Sequence, residues 1–230
     1  MLGRKAIVTD PVVYVVDDDP QACRAVADLA RASGRQVRAF ESPEEFLQSV
    51  DPDRPGCVVL VLQLAGRDGQ QVRQELKRRG IPISVVLLTS HADSLPTVRV
   101  LRHDDVVVVD KPYHDDQFWL SVEDALASSE AEYRRRRYQL ELERRFKALS
   151  PQDREVLHLI MQGQKNRSIA KRLEVSLRTV ENRRRRCFDV MEAGSLAELT
   201  RRVVEFEHDL TPNGDRSDRW LSLPHARQEA

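Results

Sequence analysis

The chain has 230 residues, enough for two modest domains that each bury a core. Its 37 basic and 37 acidic side chains cancel, but residues 1–128 hold 15 Lys/Arg against 20 Asp/Glu while residues 129–230 hold 22 against 17, so the second half suits a polyanionic partner or simply a solvated charged surface. No apolar run approaches the ~18 residues of a membrane span, the opening MLGRKAIVTD lacks a signal-peptide core, and Cys23, Cys57 and Cys187 lack CxxC spacing, so a cytoplasmic chain with reduced thiols and no disulfide framework is expected.

In chain order, VVYVV (12–16), QVRAF (36–40), CVVLVL (57–62), ISVVLL (83–88) and VVVV (106–109) are β-branched runs bounded by turn residues and predict strands. Amphipathic stretches between and after them predict helices over Pro20–Ser33, Ser42–Val50, Gly69–Arg79, Ser94–His103 and Asp115–Ser128. This alternation predicts residues 1–128 to be an α/β domain, a five-stranded parallel sheet of the flavodoxin-like doubly wound kind. Ligands of such sheets bind at the carboxyl ends of the strands.

Residues 129–148 are densely charged, lack Pro and Gly, and predict a helical linker whose sparse apolar set (Tyr133, Leu140, Leu142, Phe146) is too weak for a coiled coil. Residues 149–208 predict an all-α domain. Ser150 reads as an N-cap followed by Pro151 at the first helical position, with Gly163 closing that helix. NRSIAKRLE and SLRTVENRRRRCFDVM then form two helices joined by a short turn around Val175 and Ser176. The polar segment 209–230 is expected to be a disordered tail.

On the last of these helices, Val180, Cys187 and Met191 recur at spacings that face a core, while Arg178, Glu181, Asn182 and Arg185 recur at i, i+3, i+4 and i+7 on another side. Arginine pairs with guanine edges, asparagine with adenine and glutamate with the cytosine amino group, so this face is equipped to read bases. Arg167, Lys171, Thr179, Arg183 and Arg186 flank it and suit phosphate contacts. A run such as NRRRR is by itself more often a solvated helix face. The combination of LSPQDREVL, the following QG, NRSIAKRLEVS, RTVEN and SLAEL, however, resembles the LuxR-type helix-turn-helix of bacterial response regulators over some 55 residues. That resemblance implies binding of double-stranded DNA as a homodimer, with the contact residues just named.

VYVVDDDP, LLTSHAD and DKPY, with PGC and two loop glycines between them, resemble a receiver domain of the FixJ-like kind over residues 12–128. The resemblance implies that Asp17 and Asp18 match the acidic pair that holds Mg²⁺, Thr89 the hydroxyl, and Lys111, before a cis Pro112, the cation that engages the phosphoryl group. The phospho-acceptor aspartate aligns with Val61, which has no nucleophile. Any Mg²⁺ site at Asp17 and Asp18 is thereby weakened, and Lys111 is expected to pair with one of those two carboxylates. Val108 stands where the family places its switching aromatic, Ala65 replaces a loop proline and Asp104 a glycine.

The sequence therefore predicts a DNA-binding transcriptional regulator with a pseudo-receiver, independent of phosphorylation. Its receiver is expected to dimerise through Leu101, Val106, Val108 and Tyr113, or to take a protein or small-ligand input. The alternative is an adapter whose helical domain binds DNA without sequence preference. No cofactor and no enzymatic activity are expected: no nucleophile and base are spaced for a triad, and His91, His103, His114 and His158 are scattered.

Overall fold

The computed structural model describes residues 10–61, 69–89 and 106–210. The predicted helix over Ser94–His103, the loop with Ala65 and Gly66, Leu101, Asp104 and nearly all of the polar tail lie outside them. Two compact units divide the chain, Met1–Arg135 and Arg136–Ala230.

In the first unit, strands β1 (Val12–Val16), β2 (Gln36–Phe40), β3 (Gly56–Val61), β4 (Ile83–Thr89) and β5 (Val106–Asp110) form one parallel sheet in the order β2-β1-β3-β4-β5. This is the flavodoxin-like order. Side chains alternate between its faces, so Tyr14, Val16, Phe46, Leu60 and Leu87 build one core, and Val13, Val15, Cys57, Val59, Phe118 and Val122 the other. Strands covered on both faces are apolar throughout, hence VVYVV, while β2 at the edge buries only Phe40.

The helices begin where the sequence offers a cap followed by proline. Asp19 caps α1 (Pro20–Ala32) by accepting from the Gln21 amide, and Ser42 caps α2 (Pro43–Ser49) by accepting from the Glu45 amide. Helix α3 covers Gly69–Arg79. Helix α4 runs from Asp115 to Ala148, so the predicted helix and the predicted helical linker are one element. Nothing in that stretch breaks it, and Glu/Arg and Glu/Lys pairs three or four residues apart (Glu130–Arg134, Glu132–Arg135, Glu141–Arg145, Glu143–Lys147) line it. Its buried Ser129 accepts from the Gly56 amide at 2.9 Å and donates to the Pro82 carbonyl, tying the helix to the amino ends of β3 and β4. Gly56 is required there, because a Cβ would collide with the Val12 carbonyl oxygen.

The second unit packs the end of α4 with α5 (Pro151–Met161), α6 (Asn166–Arg172), α7 (Leu177–Val190) and α8 (Leu196–Leu210). Leu142, Phe146, Leu157, Cys187, Met191 and Phe206 form one core, with Phe146 and Phe206 stacked at 4.3 Å between centroids. Val156, Ile160, Ile169 and Val180 join α5, α6 and α7 in a second. Glu174 turns the chain between α6 and α7 with φ +54°, a left-handed conformation that costs a non-glycine residue about 1 kcal/mol. Helix α8 continues to Leu210, two residues into the segment expected as tail.

Candidate nucleic-acid interface and sheet-edge cluster

Strand pairing assembles the first cluster. Val16 lies opposite Leu60, Val61 opposite Leu88 and Thr89 opposite Asp110, so Asp17, Val61, Thr89 and Lys111 all fall at the carboxyl edge of the sheet. Asp17 and Thr89 are buried, Val61 and Lys111 half-buried, and Asp18 exposed. The Lys111 amide donates to the Thr89 carbonyl at 2.6 Å, and the Lys111–Pro112 bond is cis. Val61 packs against the core cluster of Tyr14 and Leu60, as does Val108.

Of the pairing expected for Lys111 with Asp17 or Asp18, the Asp17 half is not formed. Asp17 instead turns its Oδ1 back to accept the Asp19 amide at 2.9 Å, next to the cap of α1. A short local bond of this kind satisfies a buried carboxylate without immobilising a lysine side chain. Among the described residues this edge offers the two adjacent carboxylates of Asp17 and Asp18, with Val61 ending β3, and no group of three His, Cys, Asp or Glu suited to a metal occurs among them.

The second cluster is the exposed side of α7. Ser176 starts the helix by accepting from the Thr179 amide at 3.0 Å, which orients the following turn. Val180, Cys187 and Met191 are fully buried, so the opposite side faces outward. Arg178, Glu181, Asn182, Arg185 and Arg186 are exposed, and Thr179 and Arg183 half-buried. Arg167 and Lys171 are exposed on α6. A concavity is lined by Asp153, Asn182, Arg183, Arg185, Arg186, Asp189 and Val190.

Two features of this unit escape a reading of the sequence. Arg154 is fully buried, its Nε donating to the Phe146 carbonyl at 3.1 Å. Arg186, read as a phosphate contact, lies with Nε 3.2 Å from Oδ2 of the buried Asp153. The capping pattern at Ser150 announced the position of Asp153, but a partner 33 residues later leaves no local signal. Burial, helped by the charge of Asp153, pushes the Cys187 thiol up to about 12, so it stays protonated and inert.

Residues 13–123 match the response regulator receiver domain family, and residues 147–203 match the luxR family of bacterial regulatory proteins. Nodulation protein W of Bradyrhizobium diazoefficiens is 34% identical over 202 residues, covering 86% of this chain and 88% of that protein. The tetrathionate response regulatory protein TtrR of Salmonella typhimurium is 33% identical, covering 83% and 90%. Among solved structures, response regulator StyR superposes with a TM-score of 0.79 at 28% identity, covering 86% of this chain and all of that one. Full-length FixJ from B. japonicum gives 0.50 at 27%, covering 86% and 98%.

Proposed function

The chain belongs to the response regulators that join a receiver domain to a LuxR-type DNA-binding domain, and from that premise we propose that it regulates transcription without being phosphorylated at the sheet edge. One observation carries this reading: the residue that ends β3, one step past the Val16–Leu60 pair and so level with buried Asp17, is Val61. Phosphoryl transfer needs an oxygen nucleophile in line with the donor, and a hydrocarbon offers none. The metal that would neutralise the phosphoryl charge loses a ligand at the same position.

DNA is contacted through α7. Arg178, Glu181, Asn182 and Arg185 read base edges, and Arg167, Lys171, Thr179, Arg183 and Arg186 hold phosphates on either side. The protein acts as a homodimer whose receiver contact includes Val106, Val108 and Tyr113, formed without a phosphorylation step. Input comes from abundance, or from a protein or small ligand at the edge of Asp17, Asp18, Thr89 and Lys111. No helix among the described residues is long and apolar enough to cross a membrane.

The test is intact-protein mass spectrometry after incubation with acetyl phosphate and Mg²⁺. An unchanged mass is expected. An acid-stable or acid-labile adduct of one phosphoryl group would overturn phosphorylation independence.

A further inference from the structure

Behind the outward face of α7 stands a buried carboxylate. Asp153 accepts from the Ser150 amide at 3.2 Å and from Ser150 Oγ at 2.6 Å, and its side chain is only 6% exposed. Its Oδ2 also faces Arg186 Nε at 3.2 Å. The backbone carbonyl of the same residue accepts from Cys187 Sγ at 3.3 Å. Two consecutive residues of α7 are thus tied to a single residue in the first turn of α5.

Arg186 is not consumed by this pair. Its side chain remains 57% exposed, beside Asn182, Arg183 and Arg185 in the concavity. A free arginine gives up rotamer entropy when it is fixed on a ligand, and an ion pair from behind removes part of that loss beforehand. The carboxylate brings an opposing effect, since a negative charge near the DNA backbone repels it.

We propose that Asp153 is a positioning residue for DNA recognition: it orients Arg186 and, through Arg186 and Cys187, sets the rotation of α7 against α5. This rests on the DNA-binding reading of α7. Simple charge counting and the proposal then predict opposite signs for one substitution. Asp153→Asn keeps the shape and an acceptor for Ser150 but removes the charge, so electrostatics alone gives tighter binding, while loss of positioning gives weaker binding.

The full-length wild-type protein is first used to select a preferred duplex from a random-sequence library, and affinities for that duplex are then measured by fluorescence anisotropy. Asp153→Asn is expected to weaken binding about tenfold, in line with loss of one half-buried ion pair. In an Arg186→Ala background the same change is expected to have little further effect. Binding by Asp153→Asn that is unchanged or tighter, or effects that simply add, would overturn the proposal. Arg186→Ala also serves without DNA: hydrogen exchange along α7 of the free protein should quicken, and exchange at the wild-type rate would sink the positioning role. A library that yields no preferred duplex would count against sequence-selective binding itself, and the exchange measurement still decides the role of the pair.

Discussion

Val61→Asp restores a carboxylate at the sheet edge, and its consequences follow from the register. Val61 is half-buried against the core cluster that includes Tyr14 and Leu60, so removing its methyl groups forfeits about 1 kcal/mol of burial. Extending the pairing of Val16 with Leu60 sets the new carboxylate beside Asp17 on the neighbouring strand, about 5 Å away by ordinary strand spacing. At an effective dielectric of about 20, two unit charges at that distance repel by about 3 kcal/mol, and Lys111 at the same edge offsets part of this. A loss of about 2–4 kcal/mol is therefore expected in EDTA, read from urea denaturation of the first unit. Mg²⁺ should return about 2–3 kcal/mol to the variant when it saturates the completed site, and nothing to the wild type. A wild type that gains as much from Mg²⁺ as the variant, or a variant indifferent to the ion, would refute the claim that Val61 is what disables the site.

Asn182→Ala should cost about 1–3 kcal/mol on the preferred duplex and relax specificity at one base pair, whereas Lys171→Ala should weaken all duplexes alike and reduce the salt slope by about one; both are read from anisotropy titrations over a range of salt. Phe146→Ala removes a fully buried ring stacked on Phe206 and should destabilise the second unit by about 3–5 kcal/mol in urea denaturation monitored by circular dichroism. Because the folded Cys187 thiol is raised from 9.0 to about 12, its contribution is intact below about pH 9 and declines as the pH rises toward 12, where the unfolded chain loses that proton first. Stability of the wild type should accordingly fall more between pH 8 and pH 10.5 than that of Cys187→Ala, and equal declines would contradict the assignment.

The parts of the fold that local chemistry determines were legible in the sequence. VVYVV and ISVVLL read as buried strands, and the helix starts read at Pro20, Ser42 and Pro151 fall within a residue of those observed. The parts set by tertiary proximity were not. Ser129 looks like one more polar residue of a charged helix, yet it is buried between Gly56 and Pro82. Lys111 was expected to meet Asp17 or Asp18, but Asp17 turns one oxygen back to a backbone amide two residues along. Arg186 carries the same helical period as the groove-facing residues, and only the approach of α5 shows that its Nε turns toward Asp153. At α7 the sequence told which side faces outward, and packing told how that side is held.

The most direct test of the central claim is a fluorescence-anisotropy titration of the unmodified full-length protein against DNA from its own upstream region and against a scrambled duplex, each with and without acetyl phosphate and Mg²⁺. Selective binding that is identical in both conditions is the predicted result. Selective binding that appears only with the phosphodonor would mean that a residue other than Val61 accepts a phosphoryl group, and would contradict it.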